Sequence, residues 1–197
     1  MHIDVRYMDG IPEKPLRDFL ASVARPGLEL RVTRQEPSLR ASIEWLAPTA
    51  VVVYLAKSYF DSFLGEMGKE HYLALKRGIE ALGKRLLGRS GPKVRIISGS
   101  GRESTGDRFS IVYSVVAEAG EHRSIKLLLP KAVSGQELSD AVEAFASLLL
   151  DDDRLQNSIQ ESDRSTPAFD PVLVWFNPET ALIEVVSPGP DRHERKA

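Results

Sequence analysis

A chain of 197 residues fits one domain of ordinary size or two small ones. Hydrophobic residues make up 42% and charged residues 27%, and 26 Lys and Arg nearly balance 28 Asp and Glu, which excludes wholesale disorder, a fibrous repeat and a histone-like basic protein. The lack of cysteine excludes a disulfide framework, a thiolate metal site and a cysteine nucleophile.

The start, Met-His-Ile-Asp-Val-Arg-Tyr-Met, alternates in polarity and lacks the basic residues and apolar core of a signal peptide. The most apolar stretch, Trp45 to Ala56, contains Pro48 and Thr49 and falls well short of the roughly 20 residues that a spanning helix needs. The expectation is a cytoplasmic protein, with peripheral contact to a membrane as a further option. A bias of 17 Arg to 9 Lys suggests a bacterial source with a GC-rich genome.

In chain order, Ile3, Val5 and Tyr7 alternate as in a half-buried strand. Pro15 suits a first helical turn, Leu16, Phe19, Leu20 and Val23 line one helix face, and Pro26-Gly27 stops the run. Leu28, Leu30 and Val32 alternate again, which predicts a β-α-β opening. Ser38 can cap a short helix through Trp45 and Leu46. Residues 49–66 read as a helix: Tyr59, Phe60, Phe63, Leu64 and Met67 form a helical stripe, although Val51, Val52 and Val53 favour a strand locally. After Gly68, the positions Tyr72, Leu75, Ile79, Leu82 and Leu86 predict an amphipathic helix over 69–87.

Arg89-Ser90-Gly91-Pro92 marks a change from helical to β patterning. Strands are predicted at Val94–Ser98, Phe109–Glu118 and Ser124–Leu129, the last two forming a hairpin. Ser134-Gly135-Gln136-Glu137 has the form of a capping box before a helix carrying Leu138, Val142, Phe145, Leu148 and Leu149. The polar stretch from Asp151 to Thr166 extends that helix or forms a loop. Val172–Phe176 and Ala181–Val186 flank a turn at Asn177-Pro178-Glu179-Thr180, giving a second hairpin. The expected organisation is therefore α+β. An N-terminal β-α-β unit with additional helices occupies 1–88, a mainly antiparallel sheet covered by a helix occupies 93–188, and 189–197 is a disordered tail.

Few residues suggest chemistry. The glycine-rich stretch Gly99 to Arg108 has Ser104 where a dinucleotide fingerprint needs glycine and Asp107 where a P-loop needs lysine, so it reads as a loop between strands. The histidines are His2, His71, His122 and His193, none within helical or hairpin spacing of another. His71, with Glu66 nearby in sequence, is the least unlikely acid-base pair for a hydrolase or transferase assembled from distant residues, against a plainer role as a capping or surface residue. Asp151-Asp152-Asp153 fans out around a helix rather than converging on a calcium ion. No nucleophile elbow, zincin helix or kinase signature is present. No cofactor and no metal are expected.

Charge is unevenly spread. Lys69 to Arg108 holds ten basic and four acidic residues, whereas Ser134 to Asp170 holds nine acidic residues against Arg154 and Arg164. Such fields suit self-association or docking to a charged partner, and equally two sides of one domain that face each other. The apolar helix expected at 49–66 must be covered by the protein's own core, by a partner or by a membrane surface. Core burial comes first, because the β-α-β unit needs a cover. Nucleic acid is disfavoured by a net charge of −2 and the lack of interleaved exposed aromatics. These features predict an intracellular interaction module, an accessory or regulatory subunit that docks a protein partner or a second copy through the helices of 49–87, with Val52, Tyr59, Phe60, Lys76, Arg77 and Lys84 as the binding residues. An enzyme centred on His71 and a peripheral membrane binder are the alternatives.

Overall fold

Strand β1 (His2–Met8) buries Ile3, Val5 and Tyr7 on one side, as its alternation requires. Helix α1 (Glu13–Val23) carries Pro15 in its first turn, where the missing amide costs no helical hydrogen bond, and buries Leu16, Phe19, Leu20 and Val23. Strand β2 (Glu29–Gln35) then pairs parallel to β1, from His2 opposite Glu29 to Met8 opposite Gln35, completing the expected β-α-β unit. The computed structural model describes residues 2–35, 49–56, 68–94, 96–97, 103–104, 108–119, 123–165 and 171–186. The short helix expected from Ser38, the 57–66 part of the next helix, most of the glycine-rich loop and the tail from 187 lie outside them.

The helix expected at 49–66 is not what forms at its start. Val51–Leu55 is strand β3, central in the sheet, with Val51, Val53 and Leu55 buried and Val52 and Tyr54 half-buried. Three adjacent β-branched valines lose χ1 freedom in a helix and pack well on a pleated surface, and here that local preference prevails. Helix α2 (Gly68–Leu87) follows, then a small antiparallel pair, β4 (Ile96–Ile97) and β5 (Glu103–Ser104). Next come β6 (Phe109–Glu118), β7 (Ser124–Pro130), α3 (Gly135–Leu149), α4 (Asp152–Ser165), β8 (Val172–Asn177) and β9 (Leu182–Val185). The capping box is present at α3: Ser134 Oγ accepts from the Glu137 amide at 3.1 Å, and Glu137 Oε2 accepts from the Ser134 amide at 2.8 Å. The polar stretch after Asp151 is helical, and Leu155 and Ile159 give α4 its buried side.

Seven strands form one mixed sheet in the order β2-β1-β3-β6-β7-β8-β9. Pairings alternate in sense: β1–β3, β6–β7 and β8–β9 are antiparallel, whereas β1–β2, β3–β6 and β7–β8 are parallel. The segments 1–88 and 93–188 contribute three and four strands to this sheet and meet at the β3–β6 pair. Register places Val5, Val53, Val115, Leu127 and Val174 on one face, and all four described helices pack there around a single hydrophobic cluster. On the other face the registered rows are Asp4, Tyr54, Val116, Lys126 and Leu173, and Arg6, Val52, Ser114, Leu128 and Trp175.

One glycine sets how closely the helix layer can pack. At Gly83 of α2, a Cβ would stand 2.9 Å from Leu138 Cδ2 and 3.1 Å from Tyr113 Cε1, so any larger residue would force these side chains to shift. The Tyr113 hydroxyl, fully buried, donates to the Ile79 carbonyl of α2 at 3.2 Å and fixes that helix over the sheet.

Candidate functional site

Helices α2 and α3 lie over β3, β6 and β7 and leave between them a narrow apolar cleft with about 30 Å³ of free space. Leu75 and Ile79 line one wall, Val142, Phe145 and Leu149 the other, and Leu55, Val115 and Leu127 form the floor. The i, i+4 spacing of the first pair and the i, i+3, i+7 spacing of the second set turn both apolar stripes inward. Tyr72, Lys76 and Leu150 stand among the lining residues, and Leu150 is 39% exposed at the C-terminal end of α3.

A polar strap links the two helices beside the cleft. Lys76 Nζ is ion-paired with Glu143 and lies 4.0 Å from Glu80 Oε1, which accepts from Ser139 Oγ at 3.0 Å. One cation of the basic stretch thus pairs with one carboxylate of the acidic stretch within the molecule. Arg85 of α2 similarly pairs with Asp18 of α1 at 2.6 Å. Arg77 and Lys84, exposed and seven residues apart, lie on the outward side of α2.

The expected site residues separate in space. His71 is 3% exposed in the first turns of α2, so it is a core residue rather than a capping or surface one. Burial, and secondarily the charge of Arg25, holds its imidazole below the ordinary histidine range, which favours the neutral form. Glu66, Tyr59 and Phe60 lie outside the described residues. Val52 sits on the sheet face opposite the cleft, registered between Arg6 and Ser114, so it does not join Lys76, Arg77 and Lys84 on one surface. A docking surface made of one continuous run of helices over 49–87 is therefore not what the chain forms, because β3 is a central strand.

That opposite face carries polar groups that sequence reasoning missed. Asp4, 7% exposed, accepts from Arg6 Nε at 2.8 Å and from Thr33 Oγ1 at 2.9 Å. The guanidinium of Arg6 lies 4.6 Å from the Tyr54 ring centroid, His2 stacks on the same ring at 6.1 Å, and the Tyr54 hydroxyl donates to Glu118. Lys126, 7% exposed at the centre of β7, has its amine pushed down to about 8 by burial. The available signal was a single lysine inside the apolar run Ile125 to Leu129, a position that a half-buried strand gives to its second face. Further along this face Arg108 stacks on Trp175 at 3.8 Å, and Phe109 meets Trp175 edge-on at 6.2 Å.

Among the described residues, no group of three or more His, Asp or Glu is placed to hold a metal ion, and no helix is long and apolar enough to cross a membrane. The fold and site define an α+β domain with four described helices on one face of a seven-stranded mixed sheet. No protein-family model, curated protein or solved structure matches the chain.

Proposed function

We propose that the protein is a non-catalytic interaction module, an accessory or regulatory subunit that docks a partner protein on its helix layer. The observation that carries this reading is the narrow apolar cleft between α2 and α3, with exposed Leu150 at one end and the exposed cations Arg77 and Lys84 on the outward side of α2. An apolar lining with a partly exposed leucine at its end suits a small apolar contact, the pattern by which few residues supply most of the energy of an interface. The exposed cations on the outward side of α2 favour a partner that also carries acidic groups and would steer its approach. Among the described residues of the 49–87 region, this reading uses α2, joined by α3 from outside that region, and leaves Val52 out.

The test is the mass and composition of the assembly isolated gently from native cells for four chains: wild type, Leu150→Asp, the Arg77→Glu/Lys84→Glu pair, and Lys14→Glu on α1 as control. The expected result is a stoichiometric partner that wild type and control retain and that the other two variants lose. A wild-type chain recovered alone, or a partner held equally by all four, refutes the reading. A dimer of this chain that holds no other protein also counts against it.

A further inference from the structure

Strand β2 ends the sheet and, among the described residues, pairs only with β1. Exposed edges are normally blunted by brevity, charged side chains, proline, bulges or a covering element. This edge is neither short nor bulged: it runs seven residues, Glu29–Gln35, in unbroken register with β1, contains no proline, glycine or lysine, and carries Glu29, Arg31 and Arg34 as its charges. Five of its seven side chains are exposed, including Val32 (40% exposed) and Arg34 on the helix-layer side. The opposite edge is built otherwise, since β9 has only four residues and follows a turn in which Ala181 takes a φ of 56°.

The charges on β2 are also neutralised locally. Arg31 pairs with Glu29 at 2.6 Å, and Arg34 pairs with Asp9. A second copy therefore meets little net repulsion. A two-fold axis normal to the sheet makes the pairing antiparallel and keeps each face continuous across it. Centred on Val32, such a pairing overlaps all seven residues: Glu29 meets Gln35, Leu30 meets Arg34, Arg31 meets Thr33, and Val32 meets itself. No like charges stand opposite one another. Moving the centre to Arg31 opposes that guanidinium to its own copy, and moving it to Thr33 loses two of the pairs.

We propose that β2 is a self-pairing edge, through which two copies of this chain join their sheets antiparallel about Val32. A single strand pair makes a small interface, so the dimer forms and dissociates with concentration. The chain has no native cysteine, so one introduced thiol reports the contact without background. Opposed Cα atoms in an antiparallel pair lie about 4.5–5.5 Å apart, within disulfide range for either kind of pair.

The experiment compares Val32→Cys with Leu182→Cys on the β9 edge, where the side chain is 49% exposed, under mild oxidation. Sedimentation equilibrium of wild type and Val32→Lys is measured alongside, with circular dichroism to confirm that every variant is folded. The expected result is a disulfide dimer from Val32→Cys far in excess of that from Leu182→Cys, a concentration-dependent dimer of wild type, and a monomer for Val32→Lys. Equal cross-linking of the two cysteine variants overturns the proposal. So does a wild-type chain that stays monomeric up to its solubility limit, which would leave the edge to a strand of another protein.

Discussion

Replacing Lys126 by Met should stabilise the protein at neutral pH by an amount that vanishes in base. Lys126 stands on a central strand between Val116 and Leu173, 7% exposed, and burial lowers its amine from 10.5 to about 8. A difference of that size corresponds to about 3 kcal/mol between the two protonation states. The sign follows from proton binding. Between about pH 8 and pH 10.5 the unfolded chain keeps this proton and the folded chain has released it, so wild-type stability rises with pH across that window. Below it both states are protonated, and the folded state keeps the charge largely out of water. Methionine fills the same space without a charge. Urea unfolding of both chains, at a series of pH values from neutral to above 10.5, should therefore give a gap in favour of Lys126→Met that is largest below pH 8, up to about 3 kcal/mol, and closes toward pH 10.5. A gap that does not change with pH, or a variant less stable at neutral pH, would show that the ammonium is well solvated or well paired in the folded state and would sink the reasoning.

Acidification should act in a related way at His71, whose imidazole is held below its ordinary 6.5 by burial: wild type loses stability as pH falls below 6.5, and His71→Gln, compared by the same urea method, shows a smaller loss. Ser134→Ala removes one half of the capping box at α3 and should cost about 1 kcal/mol in urea unfolding, with Ser134→Gly costing less. Gly83→Ala pushes a methyl group against Leu138 and Tyr113, and thermal unfolding should show a loss of about 1–3 kcal/mol even though alanine is the better helix former. An unchanged melting temperature would mean that α2 and α3 can separate freely, and the cleft between them would then have no fixed width.

The elements that could be read from the sequence are those whose signals are local. The helix stripes of α1, α2 and α3, the capping box at Ser134 and the β8–β9 hairpin each lie within a few turns of chain, and each forms where its pattern places it. Val51–Leu55 was misread because a window long enough to show periodicity also takes in the helical stripe from Tyr59 to Met67, which outweighed three valines. Pairing was harder still. That β3 lies parallel to β6 depends on strands separated by α2 and some fifty residues, and no pattern in either strand names the other. The cleft has the same origin: each helix declares its buried face, but only the close approach at Gly83 sets one against the other. His71 looked titratable and accessible because it follows Glu70 in the first turn of a helix; its burial comes from tertiary packing, which sequence spacing does not record. Lys126 was legible only as an anomaly in an apolar strand.

The two proposed surfaces occupy different parts of the fold, and their geometry makes them compatible. The cleft lies over β3, β6 and β7, whereas β2 is separated from β3 by the whole width of β1. Pairing about an axis normal to the sheet keeps the two helix layers on the same side of the joined sheet, so a dimer presents two α2–α3 clefts toward one surface. A partner that carries two docking segments, or that is itself a dimer, can then engage both at once. The second contact forms at an effective concentration set by the fixed spacing of the clefts, which raises avidity without any new residue contact. Val32→Lys should therefore weaken binding to such a bivalent partner although it touches no part of the cleft, and it should leave binding to a single isolated segment unchanged. Isothermal titration of both variants of the partner separates the cases: an equal loss for the monovalent segment would mean that β2 itself contacts the partner, and the arrangement of two clefts on one surface would have to be abandoned.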